Sequence, residues 1–99
     1  MLDTMAGPEL AVAATKTYTA QLLAIAMLAA ALSGDPRPGE ELERLPDLVR
    51  QALDLDATVE RVSQRYRYMR QCVVLGRGYN YATAYEWSLK LKELTYVVA

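Results

Sequence analysis

Ninety-nine residues with eleven basic and twelve acidic side chains, no histidine, one cysteine and 53% hydrophobic content describe one small folded domain at most. The missing histidine excludes Ser-His and Cys-His couples, and the lone Cys72 excludes an internal disulfide or a cysteine-cluster zinc site, so Asp, Glu, Lys and Tyr are left for acid–base work. A net charge of −1 gives no overall attraction to nucleic acid or anionic lipid, and neither is an expected partner.

Met1 leads into Leu-Asp-Thr-Met-Ala-Gly-Pro with no basic segment ahead of an apolar run, so no secretory signal is expected, and with one cysteine the expected location is the cytoplasm. Ala6-Gly7-Pro8-Glu9 reads as a turn feeding a helix, with Pro8 near its first turn and Glu9 against the positive end of the dipole. Ser33-Gly34-Asp35-Pro36 stops it. The second half is apolar nearly all round, which predicts a buried helix packed on several faces. A membrane span is not expected, because only Leu22 to Leu32 runs uninterrupted where about 18 or more apolar residues are needed.

Arg37 to Glu41 reads as a short Pro/Gly connection. Pro46-Asp47 opens a second helix to about Leu55, and Asp56 starts a third to about Arg70, with Val59, Val62, Tyr66 and Met69 on one face. Arg61, Arg65, Arg67, Arg70 and Arg77, interleaved with Tyr66 and Tyr68, form the most basic stretch. It is read as a solvated helix face, the other reading being a nucleic-acid surface. Cys72-Val73-Val74-Leu75-Gly76 is predicted to be a short buried strand of the parallel-sheet kind. A helix from about Tyr79 to Tyr96 follows the Gly76-Arg77-Gly78 turn. This order opens a βαβ unit, and no second strand is expected before Ala99.

Two features bear on chemistry. Gly76-x-Gly78 is half of a dinucleotide fingerprint and reads as a plain glycine turn. Lys90 and Glu93 stand three apart on one helical face, where a carboxylate beside an ammonium can act as a proton-abstracting base while the cation stabilises developing negative charge. By spacing alone the pair reads as a surface ion pair.

The run Ala6-Gly7-Pro8-Glu9-Leu10-Ala11-Val12-Ala13-Ala14-Thr15-Lys16-Thr17-Tyr18-Thr19-Ala20-Gln21-Leu22 resembles the A-G-P-E-x-x-V-A-x-T-K-x-[FY]-T-x-Q-L signature of proteins with two sugar isomerase (SIS) domains. A second block, Gly76 to Glu86 followed by Leu89-Lys90-Leu91-Lys92-Glu93-Leu94-Thr95-Tyr96, resembles the start of the second SIS domain in that family. The family includes the isomerase half of glutamine-fructose-6-phosphate aminotransferase, glucosamine-6-phosphate deaminases and fructosamine deglycases.

The resemblance implies α/β parentage with a flavodoxin-like parallel sheet, of which this chain would hold a mostly helical piece with one short buried strand near 72–76. Residues 1–36 would be the end of the first SIS domain, 37–70 a helical connector and 71–99 the start of the second. It further implies a phosphosugar ligand of the hexose 6-phosphate class and no redox cofactor or metal; a homo-oligomer is expected from the apolar faces of residues 22–32 and 85–94. By the resemblance, Glu93 is the base moving a proton between C1 and C2, Lys90 assists it, and Val12, Ala14 and Thr15 line the sugar site. Ala14 departs from the serine common there and lacks its hydroxyl donor. The family's Ser/Thr-rich phosphate loop, its His-Gly-Pro segment, its C-terminal lysine and its glutaminase domain have no counterpart in these residues. The expectation is therefore a fragment inactive alone, the alternative being a non-enzymatic SIS-derived binding or dimerisation module.

Overall fold

The computed structural model describes residues 3–99. The chain divides into two compact units, Met1–Thr58 and Val59–Ala99. In the first, residues 3–15 carry no regular structure and lead into α1 (Lys16–Ser33), α2 (Arg37–Glu43) and α3 (Leu45–Leu53). A further helix, α4 (Asp56–Ser63), crosses the boundary. The second unit continues with a 3-10 turn at Gln64–Tyr66 and ends with α5 (Asn80–Thr95).

α1 starts seven residues later than the Pro8-Glu9 signal predicts, because Glu9 is used differently. Gly7 takes φ 70° and turns the chain back. The Glu9 carboxylate then accepts the Thr17 hydroxyl at 2.8 Å and the Thr17 amide at 3.4 Å. Glu9 thus caps the helix from outside, filling the place that the side chain of Thr15 leaves empty. Lys16 Nζ fastens the same loop by donating to the Pro8 carbonyl at 2.6 Å. The far end follows expectation. Gly34 sits left-handed at φ 69°, and the Ser33 hydroxyl donates to the Ala30 carbonyl at 2.7 Å.

The predicted burial of α1 does not hold: Leu22, Leu23, Ile25, Met27, Leu28 and Leu32 are all 40% exposed or more. Within its unit α1 packs against α2, and one short neighbour cannot cover a helix that is apolar on every side. The supposed connection at 37–41 is itself helical. Pro38 falls in the first turn of α2, where its missing N–H costs nothing, and Asp35 accepts the Arg37 amide at 3.0 Å. α3 forms where Pro46 and the apolar spacing place it. α4 stops short of Arg70. The Ser63 hydroxyl turns back onto the Glu60 carbonyl at 2.7 Å and the chain tightens into the 3-10 turn, so Tyr66 and Met69 leave the face that Val59 and Val62 share.

In the second unit the short buried strand predicted at 72–76 is not formed. Val73 and Leu75 are more than 80% exposed, and the only strand-type pairing among the described residues is one parallel bridge between Gln71 and Val98. Its bonds run from Cys72 N to Val98 O at 2.9 Å and from Val98 N to Arg70 O at 3.0 Å. A buried strand needs neighbours on both edges and both faces, and the described residues of the unit offer this segment one bridge and the close approach of α5. Exposure still alternates along 71–76, with Cys72, Val74 and Gly76 half-buried. Through that bridge the residues after α5 return to the first segment at a single position, without forming a second strand among the described residues. Tyr96, left-handed at φ 58°, ends the helix, and Val97, one of the two buried apolar residues among those described, brings Val98 into register. α/β parentage is not visible in this helical arrangement.

Gly76 is required sterically. A Cβ there would stand 2.6 Å from the Ala84 Cβ and would collide with the Asn80 carbonyl oxygen, so the extended segment lies directly against the first turns of α5. Gly78 is required conformationally, with φ 59° in the turn that launches the helix.

Candidate functional site

α5 carries the most developed cluster of ionisable groups among the described residues. The helical rise places Glu86, Lys90 and Glu93 on one face at spacings of four and three. Lys90 Nζ lies 2.9 Å from Glu93 Oε2 and 3.1 Å from Glu86 Oε1. Only 18% of the Lys90 side chain is exposed, against 23% for Glu86 and 32% for Glu93. The Glu93 hydrogen bond, and then Glu86, push the Lys90 ammonium above its ordinary value against the opposing effect of burial, so it stays charged through the neutral range.

The structure thus joins Lys90 and Glu93, as the spacing predicts, and adds Glu86. The sequence signal for Glu86 was present: Glu four residues before Lys is the favoured orientation of an ion pair on a helix. A lysine held by two carboxylates has its ammonium fixed in place, while Glu93, the most exposed of the three, keeps a second oxygen available to a proton on a bound molecule.

Val12, Ala14 and Thr15 lie together in the loop ahead of α1, in the first unit, whereas Lys90 and Glu93 belong to the second. Val12 is fully exposed and Ala14 half-buried, on either side of the buried Ala13. Thr15 is exposed at the N-cap of α1, where its side chain makes no cap bond. Apart from this loop, the first unit holds an open groove of about 1280 Å³, lined along α1, α2 and α3 by side chains such as Leu23, Met27, Leu45 and Val49. Its walls are apolar, and it includes none of the residues singled out for chemistry. Among the described residues no group of His, Cys, Asp and Glu is arranged to hold a metal ion. No helix among them is long and apolar enough to cross a membrane.

Comparison with known proteins gives the cluster a context. The chain is 37% identical over 100 residues to glutamine–fructose-6-phosphate aminotransferase (isomerizing) 1 of Rattus norvegicus, 43% over 97 residues to the aminotransferase of the same name from Methanothermobacter thermautotrophicus, and 44% over 105 residues to that of Aquifex aeolicus. These matches take in 93%, 98% and 99% of the chain. The chain spans only 15%, 16% and 17% of the length of these relatives. No protein-family model matches it. No solved structure matches it.

Proposed function

We propose that this chain is the junction of two SIS domains in a protein that isomerises a hexose 6-phosphate, with amination or deamination at C2, and that it contributes the proton-transferring base of that site. One observation carries the reading: nearly the whole chain aligns with isomerizing aminotransferases of fructose 6-phosphate, and the aligned stretch contains the Lys90–Glu93 pair. In this reading residues 1–36 close the first domain, 37–70 connect and 71–99 open the second. The protein works in the cytoplasm as a homo-oligomer.

The chemistry follows from the pair. Interconverting an aldose and a ketose moves one proton between C1 and C2 of the open-chain sugar. Glu93 takes the proton from one carbon, leaving an enediol or enolamine, and returns it to the other. Lys90, kept cationic by Glu93 and Glu86, stabilises the negative charge that develops on the adjoining oxygen. Val12, Ala14 and Thr15 line the sugar site of the first SIS domain in this reading, with Ala14 offering contact and no hydrogen bond. No redox cofactor is needed, since proton transfer changes no oxidation state overall, and the reading invokes no metal. In this reading the 99 residues supply a base and its cation and are inactive alone. The test is turnover of fructose 6-phosphate by the full-length protein carrying Glu93→Gln. A loss of about 10²–10⁴-fold with sugar binding retained is expected, and unaltered isomerisation would overturn the assignment.

The exposed apolar side chains of α1 favour a second reading, a non-enzymatic module that associates through that helix. Calorimetry separates the two. No heat with fructose 6-phosphate or glucosamine 6-phosphate, together with a stable dimer in sedimentation, would select the module.

A further inference from the structure

The loop ahead of α1 is held in an unusual way. Among the described residues no hydrogen bond between main-chain groups involves residues 7–14. Two side-chain clasps, each joining residues eight apart, tie the loop to the start of α1 instead: Lys16 Nζ donates to the Pro8 carbonyl, and Thr17 donates to the Glu9 carboxylate. Gly7, at φ 70°, turns the chain so that both can close. Between the clasps lie Val12, Ala14 and Thr15, with Ala13, only 2% exposed, as the buried point of the loop. Glu9 also decides what Thr15 is left to do. A threonine at an N-cap ordinarily accepts the amide two or three residues on with its hydroxyl oxygen. Thr15 occupies that position, yet Glu9 Oε2 takes both the amide and the hydroxyl of Thr17, at 3.4 and 2.8 Å, and the exposed Thr15 side chain makes no cap bond.

We propose that Glu9, acting through Thr17, is a positioning residue for the sugar: by capping α1 from outside it leaves the Thr15 hydroxyl to hydrogen-bond a hydroxyl group of the hexose 6-phosphate, and together with Lys16 it sets the loop before the sugar arrives. The inference rests on the reading that Val12, Ala14 and Thr15 line the sugar site. Of those three, Thr15 carries the one side chain that can donate or accept a hydrogen bond, so its hydroxyl is the group worth keeping from other partners. The carboxylate suits the task. The Thr17 hydroxyl holds it below its ordinary value against the opposing effect of burial, so it is charged at neutral pH and accepts strongly. Without Glu9, the Thr17 amide would draw the Thr15 hydroxyl into the usual cap, and binding would have to order a loop that has no main-chain bonds of its own. Glu9 acts on binding and not on the proton transfer assigned to Glu93, so its loss falls on KM.

Steady-state kinetics of the full-length protein with fructose 6-phosphate test it, with circular dichroism checking that each variant is folded. Glu9→Ala should raise KM about 10–100-fold and leave kcat within about twofold. Thr17→Val, which removes the hydroxyl and keeps the branched shape, should raise KM about tenfold, and Thr17→Ser should restore it. This second pair decides the matter if Glu9→Ala does not fold. Thr15→Ala should raise KM in the wild type but add little in the Glu9→Ala background, where the hydroxyl has already turned away. A raised KM in Thr15→Ala with ordinary values in Glu9→Ala or Thr17→Val overturns the proposal and spares the sugar-lining reading. An ordinary KM in Thr15→Ala overturns both. Fully additive effects of Glu9→Ala and Thr15→Ala, or a fall in kcat at constant KM, also overturn the proposal.

Discussion

Adding one methyl group at Gly76 tests how the second unit is held together. The backbone there needs no left-handed conformation, so any cost of Gly76→Ala is steric. The new Cβ would lie 2.6 Å from the Ala84 Cβ, about 1 Å inside an ordinary carbon–carbon contact, and would also press on the Asn80 carbonyl oxygen. A main-chain oxygen in the first turn of a helix cannot rotate away as a flexible side chain would. The 72–76 segment and α5 must therefore separate, at a cost of about 1–3 kcal/mol as for other overpacked sites. Gly39→Ala is the control. It lies within α2 with open space around its Cβ, and its better helix propensity should stabilise by up to about 1 kcal/mol. Trp87, the only tryptophan, sits on α5 and reports on the second unit by fluorescence during urea denaturation. Each kcal/mol lost should lower the melting temperature by about 4–8 °C for a chain of this length unfolding as a whole. If Gly76→Ala unfolds at the same urea concentration as Gly39→Ala, the close approach of the extended segment to α5 is refuted.

Other consequences concern the ionisable groups. The Thr17 hydroxyl holds the Glu9 carboxyl below its ordinary value of 4.5, so this cap contributes above that value and is lost as pH falls through the lower folded one. An acid titration followed by circular dichroism should show a loss of helix below that value that Glu9→Gln abolishes. An identical titration in the variant would contradict the cap. For Lys90 the sign is opposite: its raised value means that the ion pairs contribute fully below 10.5 and are lost as pH rises through the folded value. Nitrogen-15 chemical shifts of the Lys90 ammonium should titrate at lower pH in Glu93→Gln than in wild type, with a smaller decrease in Glu86→Gln. Equal curves in all three would mean that the carboxylates do not hold the ammonium.

Much of the helical layout was legible in the sequence, and the reasons are local. α3 and α5 follow from Pro46 in a first turn, a left-handed Gly78 ahead of Asn80 and apolar spacing that needs no distant partner. The start of α1 was not legible, because its cap comes from Glu9, eight residues from Thr17 and outside the range of capping patterns. Burial was misread at α1 and at 72–76 for a shared reason. An apolar sequence states what a segment would bury, and neither unit contains the layers that would cover Leu28 or Val73. At the candidate site the spacing placed Lys90 beside Glu93 and the helical rise adds Glu86, but spacing does not decide between a solvated bridge and a base.

Proton transfer by Glu93 is the centre of the functional account, and isotope exchange tests it without relying on net turnover. The full-length protein and its Glu93→Gln variant would be incubated with fructose 6-phosphate in deuterium oxide, and label at C1 and C2 followed by proton NMR. The account predicts rapid exchange in the wild type and exchange slowed about 10²–10⁴-fold in the variant, with the sugar still bound. Exchange at the wild-type rate in Glu93→Gln would contradict it.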